Sequence, residues 1–475
     1  MKRRTEQISE WARQMGVPED ALRRFLSEFP SSLEEVAADA HGVRSANVQT
    51  KKVAAELHDT ANSAVGQAGT GLVTLLEVDS TEDAAAGLLS DEERELLLLK
   101  AEQLLELGQI EFGQSRYEEA RSCFVSALKV FQEHSNQEGE GRSLGYLGSV
   151  SRIQGDFDQA IAHYKQSISL LRSVGDKRSE GVQLGLLAVV YMAQAHHEQA
   201  IEHYGQALTI CRETGDKLHE GHHLGNLGLV HLALGQLDQA IEYHSQALEI
   251  ARDIGDTHGE AKQAGDLASA YQDRGQFDQA IAHFRQSIRL CRVTGDKRRE
   301  SLQLGNLGII YTRLGQLERS VESHAEAIAI SRKIDDKLSL GIHLGNLGDS
   351  LVKLERFHDS EVAFRQAIEL CEESIPAAAG AYRGSLALLC ATQGNMDEAN
   401  TLLEIGERQV KVYPDEYIKF LCKKGLVWHI AGRSVDAQHA LAHAHTIAAD
   451  IESANNTEVT QALADLTALL DTVPG

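Results

Sequence analysis

His219, Glu220 and His223 form the string H-E-x-x-H. On a helix this spacing sets two imidazoles on one face beside a carboxylate, the arrangement a zinc hydrolase needs for two ligands and a general base. Further imidazoles recur along the chain: His163, His203 and His283 share one place in a periodic pattern, and His244 and His324 fall one residue later. Imidazole titrates near neutral pH, so such a ladder could carry a pH response. Cys211, Cys291 and Cys371 stand 80 residues apart on an apolar helix face, while Cys123, Cys390 and Cys422 show no paired spacing. The glycines between Gly66 and Gly71 lack the Lys and Ser/Thr of a phosphate-binding loop.

A periodic frame accounts for these groups without chemistry. Gly155, Gly235, Gly275 and Gly315 recur at 40 residues or twice that, as do Ala160, Ala200, Ala240 and Ala280, and Asp176, Asp216, Asp256, Asp296 and Asp336. A fixed period in this range marks a stacked repeat protein, whose units bury their apolar faces only against their neighbours. Glu140, Glu180, Glu260 and Glu300 hold the place of Glu220, near a helix start where acid complements the dipole. The places of His219 and His223 carry Ser179 and Gln183 in one neighbour, Arg299 and Gln303 in another. The string is therefore expected to be structural, with no metal, no cofactor and no catalytic residue. The histidine ladder is expected to pack as amphipathic rings between stacked hairpins, and the cysteines as buried free thiols in a reducing compartment.

Composition agrees with an all-helical chain. Its 475 residues are rich in Ala, Leu, Glu and Gln, and the five prolines, Pro18, Pro30, Pro376, Pro414 and Pro474, lie outside the regular array. A formal charge of -24 argues against a nucleic-acid partner, which needs clustered Lys and Arg. No apolar run reaches the roughly 18 residues of a membrane span. Met1 to Trp11 has basic residues with no apolar stretch behind them, unlike a secretory signal. The expectation is a cytoplasmic protein that is not an enzyme.

Within one unit, Gly175 suits the left-handed end of a helix and Asp176 the N-cap of the next. Val182, Leu184, Leu187, Val190 and Tyr191 recur at helical spacing from Lys177 to about Gln194, and after a break near Ala195 and His196 come Ala200, Ile201, Tyr204, Ala207, Leu208 and Cys211 on one face. Each repeat reads as a helical hairpin. The order Leu304, Leu307, Gly308, Tyr311, Gly315, Ser320, His324 and Ala327 resembles the tetratricopeptide repeat. The usual repeat is shorter and ends in Pro, which a Gly-Asp junction replaces here. With Asn226-Leu227-Gly228 and Asn306-Leu307-Gly308, the longer unit resembles the subclass found in Pins/LGN-type adaptors and bacterial repeat proteins, and kinesin light chains are similar. The resemblance implies a right-handed α-solenoid. Ala120, Ala160, Ala200, Ala240, Ala280, Ser320, Ser360, Ala399 and Ala437 mark about nine hairpins.

Three parts are expected: a helical module and linker over 1–89, the array over 90–446, and a closing helix with tail over 447–475. Glu6 to Met15, Pro18 to Phe29 and Thr50 to Val65 read as helices, and Gly66 to Leu89 as a partly flexible link before a capping box of Ser90 and Glu93. Ile8 to Leu26 faintly suggests a helix-turn-helix, but its nearly balanced charges favour a docking or dimerising module.

The resemblance further implies that the first helix of each hairpin lines a concave groove, the usual seat of an extended peptide. The residue before the Leu-Gly pair then faces inward: Tyr146, Leu186, Asn226, Asp266, Asn306 and Asn346. Arg142, His222 and Lys262 lie four residues earlier, and Ile153, Asp273, Arg313 and Lys353 seven residues later. A row of amides can hydrogen-bond a peptide backbone whatever its side chains. The same amides could instead bond the adjacent repeat. Glycine stands at Gly145, Gly185, Gly225, Gly265, Gly305 and Gly345, where a chaperone-tail clamp would carry Lys. The expected function is an adaptor or scaffold that binds a partner segment, with self-association left open. The alternative is a regulator in which groove occupancy switches the amino-terminal module.

Overall fold

The computed structural model describes residues 91–450 and 457–471. The expected amino-terminal helices and the boundary near residue 89 lie outside them. Nine helix pairs follow one another: α1 (Asp91–Gly113) with α2 (Tyr117–Glu133), α3 (Gln137–Ile153) with α4 (Phe157–Val174), α5 (Lys177–Ala193) with α6 (His197–Thr214), α7 (Lys217–Ala233) with α8 (Leu237–Asp253), α9 (Thr257–Asp273) with α10 (Phe277–Thr294), α11 (Lys297–Arg313) with α12 (Leu317–Lys333), α13 (Lys337–Lys353) with α14 (Phe357–Cys371), α15 (Pro376–Thr392) with α16 (Met396–Val410), and α17 (Pro414–Ile430) with α18 (Ser434–Asp450). A last helix, α19 (Thr457–Asp471), packs on α17 and α18. The described residues form no strand.

The chain breaks its helices by backbone conformation. From Ser115 to Glu355 a residue with positive φ recurs every 20 positions. Gly155, Gly175 and six later glycines occupy most of these places, but Ser115, Ser135, Ala195, Asp335 and Glu355 hold the same left-handed conformation with a side chain. Asp176, Asp216, Asp256, Asp296 and Asp336 then cap α5, α7, α9, α11 and α13, each carboxylate accepting from the backbone N–H three residues on. The Gly-Asp junction thus ends one helix and starts the next.

Packing follows from small residues. Ala120, Ala160, Ala200, Ala240, Ala280, Ser320, Ser360, Ala399 and Ala437 are fully buried where the two helices of each hairpin cross. Gly148, Gly228, Gly308 and Gly348 leave no room for a methyl because the rings of Tyr164, His244, His324 and Phe364 lie against them. A second set of glycines joins neighbouring hairpins. Gly145, Gly185, Gly225, Gly265, Gly305, Gly345 and Gly384 receive the side chains of Gln183, His223, Gln263, Gln303, His343, Tyr382 and Phe420 from the next first helix. That contact explains why no lysine can stand there. At the fifth hairpin Ala264 replaces the leucine of its neighbours and packs in a small cluster with Leu248 and Leu267, while Ala268, Ala280, Phe284 and Ile288 pack with the sixth hairpin.

Candidate functional site

Arg142, Tyr146, Ser149 and Ile153 fall on one stripe of α3, part-exposed between the buried Ser143, Leu144, Leu147 and Val150. The same places in later first helices form a continuous face. First helices of successive hairpins touch one another, whereas successive second helices stand farther apart, so the stack bends toward the first helices and this face is concave. It contains every candidate residue named from the sequence.

The face is satisfied from within at its two ends. Arg142 donates to both carboxylate oxygens of Glu102, at 3.1 and 3.0 Å, from one hairpin to the one before. Tyr146 stacks on Phe124 with ring centroids 5.0 Å apart. In the later hairpins, Lys423 donates to the Ser385 hydroxyl at 2.6 Å and Ser385 donates to Asp349 at 3.0 Å, linking three first helices. These side chains already have partners.

The middle differs. Asn306 and Asn346 are part-exposed, and among the described residues no group hydrogen-bonds their side-chain amides. Asn226 lies beside the Tyr204 hydroxyl, which is buried, lacks a closed hydrogen bond and has its pKa raised by that burial. Val182, Leu186, Val189, Leu229 and Ile309 lie part-exposed on the same face. Lys262 and Asp266 lie 3.6 Å apart within α9, and the Asp266 Oδ2 accepts no hydrogen bond. His222 keeps surface open to solvent on this stripe, but the protein packed around its ring lowers its pKa, and His219 lowers it further. Lys353 is exposed at the end of α13.

Arg313 reaches beyond its own neighbourhood. It ion-pairs with Glu458 of α19, which Lys419 of α17 also contacts at 3.1 Å. Burial raises the pKa of Asp273, which Arg313 opposes and Glu458 reinforces. Burial would also raise the Glu458 carboxyl, but Lys419 and Arg313 outweigh it and hold the pKa below its usual value. Sequence reasoning missed Glu458, Lys419 and Glu102. Lys419 shares the helical place of Arg142, His222 and Lys262 and was legible in that way, whereas Glu458 lies beyond the periodic array and carried no signal.

The H-E-x-x-H residues are committed elsewhere. Glu220 is buried and bonded by Arg212 at 2.9 Å and Lys217 at 2.6 Å, a pair repeated by Glu300 with Arg292 and Lys297. His219 Nδ1 sits 2.9 Å from Asp216 Oδ2 at the N-cap. His223 is buried against Gly185, its pKa pushed down to about 4 by burial and then by His219 and His222. No grouping of three or more His, Cys, Asp or Glu suited to a metal occurs among the described residues. The histidine ladder packs within hairpins as well as between them: His203 stacks on Tyr191 at 5.4 Å and His283 on Tyr271 at 5.6 Å, each pair inside one hairpin. All six cysteines are free thiols, five of them buried.

A family profile described as tetratricopeptide repeat matches residues 100–173, 181–253, 221–292, 260–333 and 298–373, and a second of the same description matches 346–405. The chain is a tetratricopeptide repeat protein. Comparison with curated protein sequences gives no match. Among solved structures, RapI superimposes with a TM-score of 0.58 at 14% identity, over 74% of this chain and 98% of that one. The apo form of the quorum sensor NprR from B. thuringiensis gives 0.51 at 13% identity, over 75% and 99%. A signal-transduction ATPase with a tetratricopeptide repeat sensor, PH0952 from Pyrococcus horikoshii, gives 0.56 at 16% identity over 69% of this chain, which spans only 50% of that protein. These likenesses establish a common fold. No described helix of this tetratricopeptide array is long and apolar enough to cross a membrane.

Proposed function

We propose that the chain is a non-catalytic adaptor whose concave tetratricopeptide groove binds an extended segment of a partner protein. The observation that carries this reading is the row Asn226, Asn306 and Asn346, three amides at one helical place on the inner face, the last two without a hydrogen-bond partner among the described residues. Amides can donate to and accept from an extended backbone at regular spacing, while Leu186, Val189, Leu229 and Ile309 offer apolar places for its side chains. Unpaired, buried thiols support a reducing, cytoplasmic setting.

The test uses peptides selected from a displayed random library on the full-length chain, titrated against wild type and the variant Asn226→Ala, Asn306→Ala, Asn346→Ala. Each amide hydrogen bond contributes about 0.5 to 1.5 kcal/mol net, so affinity should fall by roughly 10-fold to 1000-fold with melting temperature nearly unchanged. Equal affinity at equal stability would remove these residues from the site. A second reading, favoured by the description of two similar structures as sensors, makes groove occupancy a signal to residues 1–89. Limited proteolysis of that segment with and without a selected peptide separates the two.

A further inference from the structure

Most cations on the concave face are answered from adjacent places. Arg142 has Glu102 and Lys262 has Asp266. Arg313 and Lys419 are different, because they share a single carboxylate from the last helix, although Lys419 also pairs with Glu416 of its own helix at 2.7 Å. Glu458 reaches Arg313 across 145 residues of sequence and Lys419 across 39. It therefore bridges the end of the first helix in the sixth hairpin and the first helix of the ninth.

The seat of α19 does not depend on that bridge. Val459, Leu463 and Leu466 are buried against the last hairpin, and Leu466 fills the space over Gly425. Glu458 lies at the opposite character of the helix, in its first turn, where it projects a carboxylate to groove cations while its own side chain stays 45% exposed. Asp273 of the fifth hairpin and Glu416 beside Lys419 are the other acids near the pair. Glu458 is the exposed member of this cluster, with Arg313 and Lys419 part-buried, 25% and 23% exposed, so water competes for the carboxylate and the pair contributes modestly. A carboxylate delivered by a segment already lying in the groove arrives at high effective concentration.

We propose that Arg313 and Lys419 form a carboxylate-binding site for an acidic side chain of the bound segment, with Glu458 as the internal occupant that the partner displaces. The inference rests on the groove reading above and adds the chemistry of the partner: an extended segment with Asp or Glu placed to reach the sixth hairpin. Binding then loosens the first turn of α19, so occupancy of the groove is communicated to the end of the array.

The experiment selects peptides from a displayed random library on full-length wild type, Glu458→Gln and Arg313→Gln, with helicity of each checked by circular dichroism. Removing the internal competitor should raise affinity for acid-bearing peptides by about 3-fold to 10-fold, and Arg313→Gln should abolish the preference for acid while other peptides still bind. Hydrogen exchange at the N-terminal end of α19 should speed up in wild type when an acid-bearing peptide is added, and in Arg313→Gln without peptide, while the turns seated by Leu463 and Leu466 stay protected. Peptides that bind all three proteins with no acid preference would overturn the carboxylate site and leave the groove reading standing. Absence of any groove-dependent peptide would overturn both, and unchanged exchange in Arg313→Gln would overturn the role of Glu458 in holding the first turn of α19.

Discussion

Gly345 and Gly205 separate helix propensity from packing within one chain. Gly205 lies in the exposed middle of α6, and a methyl there would meet nothing. Gly205→Ala should therefore stabilise by about 0.5 to 1 kcal/mol through the reduced backbone entropy of the unfolded chain. Gly345 occupies the matching kind of backbone in α13, but the buried Tyr382 ring from the next hairpin lies against its Cα, with the tyrosine hydroxyl donating to the Ile342 carbonyl at 3.3 Å. A methyl would overlap that ring. Overpacking costs about 1 to 3 kcal/mol, and the close approach of the Tyr382 ring to an added Cβ places this site toward the upper end, so after a propensity gain of about 0.5 to 1 kcal/mol Gly345→Ala should be net destabilising by up to about 2.5 kcal/mol. Urea unfolding of both full-length variants, followed by circular dichroism, measures the pair under one set of conditions. Because repeat arrays unfold by nearest-neighbour coupling, the loss should appear first at the junction of the seventh and eighth hairpins by hydrogen exchange. Equal stabilisation by both substitutions would refute the account of the inter-repeat glycines.

Two further outcomes follow from buried imidazoles and strained turns. Burial pushes His324 down to about 3 and His343 and His223 down to about 4, so each is neutral when folded and gains a proton on unfolding below about pH 6.5. Stability is thus full above about pH 7 and falls as pH drops through 6.5, by about 1.4 kcal/mol per imidazole at pH 5.5. His324→Phe, which copies Phe284 and Phe364 at the same place, should flatten the melting temperature between pH 7.5 and 5.5; an unchanged slope would exclude His324 as a contributor. Glu355 holds a φ of 57°, and Glu355→Gly should relieve about 1 to 2 kcal/mol of left-handed strain against about 0.4 to 1 kcal/mol of added chain entropy, for a small net gain. Gly315→Ala, at a φ of 70°, should move the melting temperature the opposite way.

The fold was legible because its determinants are local and repeated. Left-handed residues at intervals of 20, Asp caps and small residues at the crossings each leave a mark at a fixed spacing in the sequence. The inner face was legible in part: the places of Arg142, Asn226, Lys262 and Arg313 follow from the helical period, but their partners do not. Nothing in the spacing shows that Glu102 saturates Arg142 or that Tyr146 lies on Phe124, since those depend on how far one hairpin rotates over the next. Glu458 was illegible for a stronger reason. Its contact with Arg313 depends on the accumulated curvature of several hairpins, a quantity that no local pattern encodes.

The same geometry bears on whether the inner amides serve folding. Locking of one hairpin to the next is carried by a different place: Gln183, His223, Gln263, Gln303 and His343 each lie over a glycine of the preceding first helix and are buried. That contact repeats whether the neighbouring inner place holds Leu186, Asp266 or an asparagine, so it does not require an amide there. Ala264 of the fifth hairpin changes the apolar side and leaves the glycine contact of Gly265 with Gln303 intact. The glycine contact therefore does not need the asparagines at Asn226, Asn306 and Asn346, and we propose that their amides, on a concave, part-apolar face, serve a partner's backbone.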